Sequence, residues 1–170
     1  STLMEMGVKD AALATIWDPI AVRLCMAAGE GARLKLRFGA KVCPEAGDPI
    51  DRDVLVKKVQ RNATQSFGES VVPLGDSVMV DCDGIEVILN TVRSQAFGVD
   101  AFSNLGVVPE QKKILVVKST NHFYAAFRPI AKEIFYVNSG DMYPHNAART
   151  KYRKLRRDIW PRVQNPFKDD

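Results

Sequence analysis

The sequence predicts an α/β protein: a mixed sheet with strand-helix-strand units at both ends and an antiparallel meander in the middle. Three observations carry that reading. Short apolar runs at residues 13–17 and 114–118 each lead into a helical segment, the order expected of a buried strand and its crossover. Ala32, Leu34, Leu36 and Phe38 alternate with Arg33, Lys35 and Arg37, the period of two of a strand with one wet, basic face. Asp83-Gly84 joins two β-prone runs, and a type I′ hairpin turn needs positive φ at both of those positions.

The elements follow in order. Residues 1–6 read as the last turns of a helix stopped by Gly7. With the chain opening on Ser1 rather than Met, this makes a fragment of a longer protein the expectation. After the strand at 13–17, Asp18 suits an N-cap and Pro19 the first helical position, where a missing N–H costs nothing. Residues 20–28 are then a helix, ended by Gly29-Glu30-Gly31 before the strand at 32–38. Residues 44–49 form a loop. Residues 54–60 read as a strand turning at Asn62-Ala63, and the runs 77–82 and 85–91 complete the meander around Asp83-Gly84. Residues 100–105 are a short helix with Gly106 past its end. The buried strand at 114–118 meets a polar elbow, a helix over 122–128 stopped before Pro129, and a last strand at 133–137. After Tyr143-Pro144, a basic tail over 149–170 is expected to dock through Leu155, Ile159 and Trp160.

Length and composition fit a single domain over 1–170. A chain of 170 residues with 46% apolar content needs no metal or disulfide simply to fold. The three cysteines, Cys25, Cys43 and Cys82, show no C-x-x-C spacing, so free thiols in a cytoplasmic protein are expected. No apolar run approaches the ~20 residues that span a bilayer, so no membrane partner is expected. The net charge is +4, and it is uneven: seven Lys or Arg between Arg149 and Arg162 face one Asp. Such a run is either a solvated tail or an anion-binding surface.

The best site candidate is the elbow Lys118-Ser119-Thr120-Asn121-His122. It lies at the carboxyl end of a strand, where α/β sheets place ligands. Lys118 suits a substrate carboxylate, and His122 suits proton transfer or donation to an oxyanion. The structural alternative is that Thr120 or Asn121 caps the helix. Arg93, Ser94 and Gln95 follow the hairpin's second strand, where Arg93 could clamp a carboxylate or simply sit in a surface loop. Asp18 ends the first strand, where it could be catalytic, but capping explains it fully. His122 and His145 are the only histidines, with no H-E-x-x-H, so no metal ligand set is expected in the chain. Neither phosphate-binding glycine motif occurs.

The ordered segments 14–22 (ATIWDPIAV), 28–32 (AGEGA), 36–41 (LRFGAK), 88–95 (ILNTVRSQ), 114–123 (ILVVKSTNHF) and 152–161 (YRKLRRDIWP) together resemble the C-terminal region of the microcystin-degradation, MlrC-like, family. The resemblance implies a parent zinc metallopeptidase acting on short or linearised peptides, with its metal ligands in a larger N-terminal domain. It therefore supplies no metal ligand and no cofactor to this chain, and names the N-terminal domain and a short peptide as partners. The elbow Ser119–His122–Phe123 and the turn Arg93–Gln95 match family motifs. On this reading His122 is a catalytic candidate, and Arg93, Gln95, Lys118, Ser119 and Asn121 are substrate-binding candidates. Two departures are Tyr124, where the family often has Arg, and Asp158, where it often has Arg-Pro. Two other readings are a purely structural lid and a module that binds an anionic partner through its basic tail and the Arg33, Lys35, Arg37 face. Nucleic acid fits poorly, because few aromatic residues interleave with the basic ones.

Overall fold

The computed structural model describes residues 2–137, 148 and 150–167, the side chain of Glu45 excepted. Tyr143-Pro144, His145 and Arg149 lie outside the described residues. Two compact units emerge, 1–134 and 135–170, where the sequence suggests one domain.

The first unit is built on one mixed six-stranded sheet, as the α/β expectation requires. Its strands are β1 (Ala11–Trp17), β2 (Arg33–Phe38), β3 (Ile50–Phe67), β4 (Ser70–Cys82), β5 (Ile85–Asn90) and β6 (Ile114–Val117). They lie in the order β2-β3-β4-β5-β1-β6. β3 to β5 form the expected antiparallel meander, which β2 extends at its edge, whereas β1 runs parallel to both β5 and β6. The helices are α1 (Thr2–Glu5), α2 (Pro19–Ala28), α3 (Asp100–Ser103) and α4 (Tyr124–Phe127).

Alternation along the strands fills a core on each face. On one, Ala21, Val22 and Cys25 of α2 meet Leu36, Val56, Val80 and Leu89. On the other, Phe102, Phe123 and Phe127 cover Ala12, Ala14, Met79 and Ile88. The Phe102 and Phe127 rings meet edge to face at 5.8 Å. Burying such rings accounts for most of what holds four-residue helices, too short to persist alone, against the sheet.

Two turns follow their sequence signals. Asp83 and Gly84 both take positive φ, 56° and 84°, as the hairpin requires. Asp18 caps α2, its Oδ1 accepting from Ala21 N at 3.1 Å, with Pro19 next. Beyond capping, Asp18 also accepts from Gly39 N at 3.0 Å and pairs with Lys41 Nζ at 2.8 Å while almost fully buried.

Three expectations are corrected. β3 does not turn at Asn62-Ala63. Asn62 does adopt a left-handed φ of 47°, but that residue makes a bulge, and the strand runs on to a turn at Gly68-Glu69. Asn signals positive φ, which bulges and turns share. Residues 133–137 form no strand, and Phe135 and Val137 stand 77% and 81% exposed. β propensity needs a neighbouring ladder to be realised, and this run has none. The second strand-helix-strand unit is therefore not closed. The parallel pairs come from β1, while β2, which follows α2, lies at the far edge. β6 is an edge strand rather than a buried one. Among its described residues the second unit has no helix or strand.

Candidate functional site

The three parallel strands end on the same edge of the sheet. Trp17 lies beside Asn90, and β6 hands over to Lys118. The register Gln60–Ser77–Asn90 shows that β3 and β4 continue past this edge as a two-stranded arm, residues 61–76. Gly75 is required where the arm passes β5, because a Cβ there would fall 2.3 Å from Thr91 Oγ1 at a φ of +72°. Backbone bonds Thr91 N to Asp76 O and Val92 N to Leu74 O, both 3.0 Å, hold the crossing.

The arm carries Gln65, which is 1% exposed. Its Nε2 donates to Gln95 O at 2.7 Å and to Ser94 Oγ at 3.1 Å, and its Oε1 accepts from Phe97 N at 2.8 Å. Thr15 of β1 adds a bond to Ser94 O at 2.7 Å. One buried amide thus fixes the backbone of the 94–98 loop. Gly98 lets the arm approach: a Cβ there would lie 2.7 Å from Ser66 O, in the space where Asp100 Oδ1 accepts from Ser66 Oγ at 2.9 Å.

The loop and the elbow are joined by the Gln95 side chain. Its Oε1 accepts from Ser119 Oγ at 2.8 Å and from Thr120 N at 3.4 Å, while Ala96 N donates to Lys118 O at 3.2 Å. The Thr120 N–H can only donate, so the atom facing it must be the amide oxygen. That sets the flip of Gln95 and turns its Nε2, with two donors, away from these contacts. Among the described residues nothing accepts from Nε2.

Each sequence candidate can now be placed. Gln95 and Ser119 are brought together. Arg93 is exposed in the loop after β5 and has no acidic partner among the described residues. Lys118 is exposed at the end of β6, and its backbone bridges Ala14 and Ala96. Asn121 is exposed and uses its carbonyl to accept from Tyr124 N at 3.1 Å. His122 is exposed, with its ring against Phe67 at 5.3 Å and Phe97 at 5.8 Å. The capping alternative for the elbow is overturned. α4 begins later than expected, at Tyr124, behind Phe123, and no side chain caps it. Cys82 lies buried beside the Asp83-Gly84 turn at the opposite edge, so no Cys–His pair forms with His122.

Sequence reasoning missed Gln65, Phe67 and Phe97. The one signal for Gln65 was a polar residue in phase with Ala63 on an apolar face, and the turn expected at Asn62 hid that phase.

The chemistry of this edge is donation: two cations, an amide, hydroxyls and one imidazole. It does not fit a zinc site, which wants three or four His, Cys, Asp or Glu ligands. Among the described residues no such group occurs. No helix of the described residues is long and apolar enough to cross a membrane.

Three comparisons bear on identity. The family model for the MlrC C-terminus matches residues 1–154. Microcystinase C of a Sphingomonas species is 32% identical over 159 residues, covering 94% of this chain and 31% of that protein. A crystal structure from Mesorhizobium sp. BNC1, provisionally named a metallopeptidase, superposes with a TM-score of 0.70 at 26% identity, covering 77% of this chain and 27% of that one. The chain therefore spans about a third of the length of these relatives. On the family match over nearly all of its length, and on the shared sheet, the chain belongs to the MlrC C-terminus family.

Proposed function

We propose that this domain forms one wall of the substrate cleft of a zinc-dependent peptidase that acts on short linear peptides, products of microcystin opening among them. The metal would be held by an N-terminal domain of the same protein. Family membership, the name of the Sphingomonas relative and that of the Mesorhizobium structure support the peptidase reading. The observation that carries the siting is the Gln95 bracket, which ties the 93–98 loop to the elbow that carries His122 and leaves the amide Nε2 with no acceptor among the described residues. Gln95 Nε2 would hold a substrate carbonyl. Arg93 and Lys118 would draw a carboxylate to the edge. His122 would donate to the developing oxyanion or return a proton to the leaving amine, work that donors set in advance do best.

A division experiment tests this. The 170-residue chain alone should not cleave linear peptides, nor should the remainder of the protein alone. The joined protein should. Full turnover by the remainder alone would end the reading.

A second reading, an anionic-partner module, has one observation in its favour. In the second unit Lys151, Arg157 and Arg162 line a cavity of about 480 Å³ with Tyr152. Against it, the basic strand face is faced by acids: Arg37 pairs with Asp51 at 2.9 Å and Lys35 stands opposite Asp53. Tight binding of single-stranded DNA that falls steeply with salt would favour this second reading.

A further inference from the structure

The arm ends in an unusual place for a large apolar ring. Phe67, the last residue of β3, is 43% exposed. Its ring stacks on Phe97 with centroids 4.7 Å apart and meets His122 edge-on at 5.3 Å. His122 in turn meets Phe97 at 5.8 Å. Three segments distant in sequence thus contribute one ring each to a shared ledge. None of the three rings is sealed in the core: Phe97 is half-buried, and His122 is exposed.

Two of its three segments also carry the Gln95 bracket. Phe97 is two residues from Gln95. His122 is two residues from Thr120, whose N–H fixes the Gln95 amide. Amide N–H groups with no acceptor among the described residues, two positions along the chain from an exposed ring surface, suit the repeating unit of a peptide, a backbone carbonyl flanked by a side chain. Aromatic rings bind such apolar groups with little loss of side-chain freedom, since each has only two torsions.

We propose that Phe67, Phe97 and the His122 ring form an apolar subsite that takes a bulky hydrophobic side chain of the substrate peptide, with the adjacent backbone carbonyl on Gln95 Nε2. The inference rests on the peptidase reading and deepens it by naming a specificity determinant, Phe67, on the arm.

The test is the substrate preference of the full-length enzyme toward matched linear peptides that carry Phe, Leu or Gly at one position. Phe67→Ala should lower kcat/KM for the Phe and Leu peptides by about tenfold or more and leave the Gly peptide within about twofold, the size of discrimination an apolar pocket supplies. Phe67→Leu should recover most of the loss. Unchanged Phe-to-Gly ratios in Phe67→Ala would overturn the subsite, as would an equal loss for all three peptides, which would mark a packing role only. Arg93→Gln and His122→Ala, assayed alongside, separate the two claims. If these slow every peptide while Phe67→Ala changes no ratio, the subsite fails and the peptidase reading stands. If they slow none, the peptidase siting fails, and with it the subsite.

Discussion

Replacing Gln65 by Ala removes the one amide that ties the arm to the 94–98 loop. The magnitude follows from the partners left behind. Gln95 O keeps a bond from Ser94 Oγ at 3.0 Å, so its loss is partial. Phe97 N–H loses its acceptor at 2.8 Å in a site where the side chain was 1% exposed. A buried donor without a partner costs ~1–3 kcal/mol, and two forfeited side-chain bonds cost ~1 kcal/mol each. The sum is ~3–5 kcal/mol, and the low end, about 3 kcal/mol, applies because Gln95 O keeps one bond. With a urea slope of ~1–3 kcal/mol/M, the midpoint should fall by about 1–3 M. Urea unfolding measures the loss, and amide exchange at Phe97 and Thr120 shows where it falls, with both amides less protected. Gln65→Glu separates lost bonds from lost volume. It keeps the volume but at neutral pH presents an acceptor-only group to Gln95 O. Burial raises its folded pKa above the unfolded value, so its stability is best below ~4.3 and is lost as pH rises through the folded value. A loss under ~1 kcal/mol for Gln65→Ala, with exchange at Phe97 unchanged, would refute the claim that this amide organises the loop.

Three further predictions concern Asp18 and the cysteines. Asp18→Ala should cost ~2–3 kcal/mol in thermal or urea unfolding, more than a cap alone, because Gly39 N and Lys41 Nζ also lose their acceptor; Asp18→Asn should cost about half as much, and equal stability of Asp and Asn would show that the Lys41 contact contributes nothing. Burial, aided by the Asp18 charge, pushes the Cys25 thiol up to about 11 from 9.0. A folded pKa above the unfolded one gives stability that is whole below 9.0 and is lost as pH rises toward 11, so unfolding free energy should fall over that window and Cys25→Ala should flatten the fall. At pH 8 iodoacetamide should label half-buried Cys43 and spare Cys25 and Cys82, and rapid labelling of Cys25 in the native state would contradict its burial.

Local chemistry made much of the fold legible. Asp18-Pro19 announced a helix start and Asp83-Gly84 a hairpin, since each states a backbone requirement few other residues meet. Alternation at 33–38 marked β2 because one face is wet. The misreadings have one physical origin, that local signals do not name their partners. Asn62 signalled positive φ without saying bulge or turn. The run 133–137 signalled β propensity without a ladder to join. The site divided the same way. The elbow and Arg93 to Gln95 were legible because they follow strand ends. The arm that braces them was not, because Gln65 and Phe67 reach the edge only through a hairpin far longer than its turn residues indicate.

The central claim is that this edge, with His122 on it, takes part in peptide cleavage. Turnover of a linear peptide by the full-length protein with His122→Ala tests it most directly, with folding checked by urea unfolding. The account predicts a fall in kcat of about 10²-fold at unchanged stability. Wild-type turnover in that variant would contradict it.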